Sequence, residues 1–71
     1  MNTKNYRVLE CKSKDRFFKI EEDLPDVGWY LKVFDKNMNC IADHLQNDLN
    51  AIIEFCLDEY GIEKNKWTEK L

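Results

Sequence analysis

The chain has 71 residues, of which 44% are hydrophobic, and its formal net charge at pH 7 is −3. A chain this short forms one domain and buries only about 60% of the surface that its unfolded form exposes. Its four Phe, three Tyr and two Trp residues exclude a disordered chain, and the net charge is too small to imply a polycationic or polyanionic role by itself. We predict a single domain over residues 1–71, with an ordered core at about residues 5–67 and short polar tails. Trp29 and Trp67 are the leading candidates for core anchors.

The first predicted element is a β-hairpin. Side chains alternate along residues 6–11, a polar turn follows at residues 12–15, and a second strand occupies residues 16–21. Pro25 and Gly28 then interrupt the pattern, since proline cannot donate a ladder hydrogen bond and glycine adopts backbone angles that other residues resist.

Two further strands are predicted after this interruption. Residues 29–35 are rich in aromatic and β-branched residues and form the central strand. A turn at residues 36–39 leads to a fourth, weaker strand at residues 40–45.

The last predicted element is an α-helix over roughly residues 47–60. Its apolar stripe has steps of three and four and consists of Leu49, Ile52, Ile53, Cys56 and Tyr60. Asn47 is the expected N-cap, Asp48 suits the positive first turn, and Gly61 suits the left-handed residue that follows a helix. Trp67 is expected to fold back over the core.

These elements predict an α+β fold, in which a four-stranded antiparallel β-meander is packed on one face by a single C-terminal α-helix. One helix covers only one face of the sheet. The other face is left for solvent, for a second copy of the chain or for a partner.

Strand alternation predicts which residues lie on the two faces. Those expected to face the helix are Val8, Phe18, Ile20, Trp29, Leu31 and Val33. Those expected on the opposite face are Arg7, Leu9, Phe17, Lys19, Tyr30, Lys32 and Phe34. Mixed rings and cations are typical of sheets that bind single-stranded nucleic acid, although half-exposed strands in general also carry Tyr, Phe and Lys.

The cysteines and the sole histidine offer no complete chemical site. The three cysteines match neither a disulfide-rich secreted domain nor a zinc ribbon, so we expect reduced thiols. Cys40 and His44 form the best metal pair, projecting to one side of a strand, but an extended strand separates them by ~13 Å and no further ligands are evident. His44 is predicted to be a non-catalytic surface histidine. We predict no catalytic, metal-binding or cofactor-binding residues, no cofactor, and no enzymatic activity.

No targeting or membrane segment is predicted. The first six residues lack the apolar stretch of a signal peptide, and no segment approaches the ~20 apolar residues of a membrane span. We therefore expect a cytoplasmic protein.

Charge is distributed unevenly along the chain. Residues 1–22 contain six cations and four acids, which gives this segment a net charge of +2. Because the whole chain has a net charge of −3, the remaining residues have a net charge of −5. Residues 37–63 contain six acids and no Lys or Arg. The C-terminal half is therefore acidic, which favours basic partners.

The helix concentrates part of this acidity in Glu54, Asp58 and Glu59. Asp58 and Glu59 lie in the predicted last turn, where the helix dipole disfavours acids. Either Lys64 and Lys66 offset this cost, or the acids form a face that docks a basic partner, as small acidic inhibitors do.

One segment carries a resemblance. Residues 21–31, with Leu-Pro-Asp-Val-Gly-Trp-Tyr-Leu at their end, together with Cys40, Asp43, residues 45–46 and the ending from Gly61 to Trp67, resemble a family of small uncharacterised bacterial proteins. The resemblance implies a compact bacterial domain of unknown function, and it implies no functional residues.

We therefore predict a small non-enzymatic protein-interaction module, such as an inhibitor of the immunity-protein type or an adaptor, that binds an unidentified protein or forms a homodimer. Single-stranded nucleic-acid binding is the alternative, and no membrane partner is expected. The candidate interaction residues are Arg7, Phe17, Lys19, Tyr30, Lys32, Glu54, Asp58 and Glu59.

Overall fold

The computed structural model describes residues 7–22 and 28–70, and these residues form one antiparallel sheet of five strands with a single α-helix. The strands are β1 (Val8–Ser13), β2 (Arg16–Glu22), β3 (Trp29–Phe34), β4 (Cys40–Gln46) and β5 (Thr68–Lys70), and the helix is α1 (Leu49–Tyr60). A 3-10 turn at Lys64–Lys66 lies between α1 and β5. The predicted α+β class with one helix is confirmed, whereas the predicted number of four strands is wrong.

The additional strand, β5, follows the helix and pairs antiparallel with β1, which gives the strand order β4-β3-β2-β1-β5. Its three residues are Thr, Glu and Lys, and all are exposed. A segment without apolar alternation carries no strand signal in the sequence. Trp67, just before it, packs against the core and so holds the following residues beside β1.

The side-chain parity of β1 is the reverse of the prediction. Leu9 and Cys11 are buried and face Ile20 and Phe18 across the β1–β2 pair, while Val8 lies on the other face. Residues that face each other in an antiparallel pair lie on the same side of the sheet. A two-residue turn joins the strands, and the register that it sets puts Leu9 rather than Val8 under the helix.

Both ends of α1 are capped by side-chain or backbone hydrogen bonds. The N-cap is Asp48, not Asn47, because Asp48 Oδ1 accepts a hydrogen bond of 2.8 Å from the backbone N–H of Ala51. Gly61 has the predicted left-handed conformation, with φ 70°, and its N–H donates to the carbonyl of Leu57 at 3.1 Å. Within the described residues, no helix is long and apolar enough to cross a bilayer.

The core lies between α1 and one face of the sheet. It consists of Leu9, Cys11, Phe18, Ile20, Leu31, Val33, Ile52, Cys56 and Ile62. Trp29 and Trp67 are only partly buried and pack against this cluster. The tryptophans therefore support the core from outside, and the fully buried anchors are smaller side chains such as Phe18 and Ile52.

Candidate functional site

The sheet surface opposite α1 is called the open face. Its residues follow from the strand registers, because facing residues share a side of the sheet. They are Val8, Glu10, Lys12, Phe17, Lys19, Glu21, Tyr30, Lys32, Phe34, Cys40, Ile41, Asp43, Leu45, Thr68 and Lys70. Four predicted interaction residues, Phe17, Lys19, Tyr30 and Lys32, are therefore brought together on adjacent strands.

A carboxylate lies between the two lysines at the centre of the open face. Glu21 is 3.2 Å from Lys32 Nζ and 3.8 Å from Lys19 Nζ. The hydrogen bond to Glu21 raises the pKa of Lys32, and Lys32 Nζ also lies 5.8 Å from the centre of the Tyr30 ring. Glu21 was not among the predicted interaction residues, because its role depends on the cross-strand register.

Apolar side chains of β2, β3 and β4 lie beside this charged row. The apolar patch consists of Phe17, Tyr30, Phe34, Ile41 and Leu45. The rings of Phe17 and Phe34 are 6.0 Å apart at their centres, and Ile41 and Leu45 are 50% and 49% exposed. Ile41 and Leu45 were not among the predicted interaction residues, although their alternate positions on a predicted strand were the available signal.

Strand β4 carries a bulge where it passes the end of β3. The register shifts between Val33 and Phe34, so that Val33 faces Ala42 and Phe34 faces Cys40, leaving Ile41 as the extra residue. A bulge bends and twists its strand. Here it adds a half-exposed apolar side chain to the open face.

Arg7 does not belong to the open face, contrary to the prediction. Its guanidinium binds Glu69 through Nε at 2.6 Å and Nη2 at 2.8 Å, and its Cζ lies 5.4 Å from the centre of the Trp29 ring. Glu69 faces the buried Leu9, which places the ion pair on the helix side of the sheet. The hydrogen bond from Arg7 lowers the pKa of Glu69, and the pKa of Arg7 is raised in turn.

The helix acids form a separate surface. Glu54, Asp58 and Glu59 are exposed on α1, on the opposite side of the sheet from the open face. Glu54 lies 3.9 Å from Lys64 Nζ, but both side chains are 65% exposed, so this pair contributes little stability. No acid of this group contacts the predicted sheet residues among the ion pairs of the described chain.

Cys40 and His44 lie on opposite faces of the sheet, contrary to the predicted shared side. Cys40 faces Phe34 and is exposed, whereas His44 is half-buried and stacks on Phe55 with ring centres 4.1 Å apart. His44 Nε2 is also 2.9 Å from Gln46 Nε2. The bulge between them changes the alternation on which the prediction relied. Over the part of the chain that the structure describes, no three His, Cys, Asp or Glu side chains are grouped to hold a metal ion.

No protein-family model, curated protein or solved structure matches this chain. The resemblance to a bacterial family stays a prediction, and residues 23–27 of the segment that carries it lie outside the described residues.

Proposed function

We propose that this chain is a small non-enzymatic protein-interaction module whose open face binds a protein partner. The observation that carries the proposal is the apolar patch, of which Ile41 and Leu45 are about half exposed. The patch has two groups, Phe17, Phe34 and Ile41 on one side and Tyr30 and Leu45 on the other, with Lys32 and Asp43 between them. Exposed apolar side chains set among polar residues are typical of protein-binding sites. The helix already covers the opposite face, so this patch has no role in the core.

The charges around the patch favour a protein over a nucleic acid. The open face holds four lysines and three acids. Lys19 and Lys32 pair with Glu21, and Lys70 Nζ lies 3.7 Å from Glu10. Phosphate binding depends on cations that are available to replace counterions, whereas protein interfaces combine an apolar centre with paired polar groups at the rim.

The biological role that fits this surface is an inhibitor of the immunity-protein type or an adaptor, acting in the cytoplasm. Either role requires a docking surface and no reaction. If the partner is a second copy of the chain, the two copies bind each other through the same patch and form a homodimer.

Affinity capture tests the proposal. The baits are three tagged proteins, and the extract comes from the organism whose genome encodes the chain. The three proteins are the parent, Leu45→Lys and Leu57→Lys. Leu57 is the matched control because it is an exposed leucine on α1, on the other side of the sheet. We expect a partner that the parent and Leu57→Lys retain and that Leu45→Lys loses, while circular dichroism shows all three folded.

Sedimentation velocity of the same three proteins tests self-association. A dimer that Leu45→Lys alone abolishes also supports the proposal. Identical captured proteins for all three baits, together with a monomer at every concentration, would contradict it.

Single-stranded nucleic-acid binding is the second candidate, favoured by the rings of Phe17 and Tyr30 next to Lys19 and Lys32. It predicts that a labelled single-stranded oligonucleotide binds at low salt, and that Tyr30→Ala and Lys19→Glu remove this binding. An unchanged fluorescence anisotropy of the oligonucleotide with the parent protein would exclude it.

A further inference from the structure

The outer side of β4 is an unpaired sheet edge among the described residues. This strand has seven residues, whereas β5 at the other edge has three. An edge strand presents unpaired backbone N–H and C=O groups to any additional strand, and proteins often block such edges with Lys or Pro. The sequence of β4 contains neither, and its acid is Asp43. The bulge at Ile41, a feature that can also protect an edge, lies near the start of the strand and leaves residues 42–46 in regular pairing.

The inner side of β4 indicates which strand its side chains fit. On β3, Tyr30 faces Leu45 and Lys32 faces Asp43. The next residue of β3 on this face is Phe34, which lies at the bulge beside Ile41. The inner partner therefore alternates an apolar residue, a lysine and an apolar residue. Ile41, Asp43 and Leu45 stand in one row on the open face, where a strand on the outer side meets the same three side chains.

A second copy of β4 does not supply this pattern. In an antiparallel twofold pairing that matches all seven residues of β4, Asp43 faces the Asp43 of the other copy. Shifting the register by two residues in either direction places Asp43 opposite Ile41 or Leu45 instead. Like charges directly opposite each other destabilise a strand pair, and none of these three registers supplies a cation opposite Asp43, so a basic segment fits the edge better than a second copy does.

We propose that the outer edge of β4 binds an extended basic segment of a protein partner as a sixth strand of the five-stranded sheet. A Lys or Arg of that segment lies opposite Asp43, and apolar residues two positions to each side lie opposite Ile41 and Leu45. Backbone hydrogen bonds provide the affinity for the segment, and the side-chain contacts determine which sequence binds. The proposal rests on the proposed function, in that the partner is a protein.

An NMR titration of the full chain tests the edge directly. The probe is a capped peptide of seven residues that alternates threonine with isoleucine, lysine and isoleucine. Two control peptides carry glutamate in place of the lysine, or N-methyl groups on the backbone nitrogens that face β4. We expect the lysine peptide to shift the amide signals of Cys40–Gln46, to bind roughly fivefold more tightly than the glutamate peptide, and to lose binding when N-methylated.

A charge exchange then tests the partner of the lysine. In Asp43→Lys the preference reverses, so that the glutamate peptide binds more tightly, and in Asp43→Asn the two peptides bind equally. The variant Asp58→Lys is the matched control, since it makes the same charge change on the exposed surface of α1, and it keeps the lysine preference. The amide spectrum of each variant reports its fold in the same experiment.

Three results would overturn the proposal: no shift of the β4 amides with millimolar peptide, shifts confined to other elements, or a lysine preference that survives Asp43→Lys. A dimer of the parent protein that pairs through β4 would also overturn it. If the peptide fails to bind while Leu45→Lys still loses a captured partner, docking at the edge is wrong and the proposed function of the open face stands.

Discussion

Arg7 and Glu69 are 62 positions apart in the chain and form a two-point ion pair at 2.6 and 2.8 Å. Arg7 immediately precedes β1, and Glu69 is the middle residue of β5. The pair therefore fastens a three-residue strand, which has no buried side chain of its own, onto the sheet. Its guanidinium also lies over the Trp29 ring, so the same residue links β5 to β3.

The ion pair makes the stability of the fold depend on pH in the acid range. Arg7 holds the pKa of Glu69 below its ordinary value. The contribution of a carboxylate with a lowered folded pKa is complete above the unfolded value of ~4.3 for Glu and is lost as the pH falls through the folded value. We expect a carbon-13 NMR titration to show the lowered pKa of Glu69, and Arg7→Gln to return it towards the ordinary value. In Arg16→Gln, the control that removes a cation packed on Tyr60, the pKa of Glu69 stays low.

Because Leu9 and Val8 lie on different faces of β1, truncating them should lower the free energy of unfolding by different amounts. Leu9→Ala removes a core side chain that is 7% exposed and should lower the free energy of unfolding by about 2–5 kcal/mol. Val8→Ala changes the open face and should cost less than about 1 kcal/mol. Urea denaturation followed by circular dichroism measures both. A larger loss for Val8→Ala would show that the strand faces the other way.

The helix N-cap offers a second matched pair. Asp48→Ala removes the acceptor for the backbone N–H of Ala51 and should cost about 1 kcal/mol of stability. Asn47→Ala removes no cap and should stay within about 0.5 kcal/mol of the parent. Equal losses in thermal or urea unfolding would contradict the assignment of Asp48 as N-cap.

The three cysteines should differ in reactivity in the folded protein. Cys40 is exposed, whereas Cys11 and Cys56 are buried. Burial raises the pKa of Cys56 to about 12 and also raises the pKa of Cys11, so neither supplies reactive thiolate near neutral pH. Iodoacetamide followed by mass spectrometry should label the native protein once, at Cys40, and all three sites in urea. Native Cys40→Ser should remain unlabelled, and rapid labelling of Cys56 in that variant would contradict the burial.

Most strands and the helix were predictable because their apolar residues recur at the spacing of a strand or of a helix. Alternation identified β2 and β3, and steps of three and four identified α1. Strand β5 could not be predicted, since three polar residues become a strand only through pairing with β1. The parity of β1 could not be settled either, because its alternate positions each contain apolar residues and only the register decides between them.

The candidate site was predictable to the same extent. Phe17, Lys19, Tyr30 and Lys32 were assigned to one surface from strand alternation alone, and they lie together on it. The pairing of both lysines with Glu21 depends on contacts between strands that no local pattern contains.

The errors at the site have the same kind of cause. Arg7 was assigned through the reversed parity of β1, and the bulge at Ile41 separates Cys40 from His44. The acids Glu54, Asp58 and Glu59 were correctly placed on the helix, but whether they bind anything stays a prediction.

The pairing of β5 with β1 has a consequence for how the chain matures on the ribosome. Strand β1 becomes an inner strand only when Thr68–Lys70 has been synthesised and has reached it. Until then β1 and β4 are both edge strands of the part of the sheet that the structure describes, and contacts between distant parts of a chain form more slowly than local ones. A partner strand bound to the β4 edge at this stage would leave β1 as the one described edge strand available for pairing with other chains.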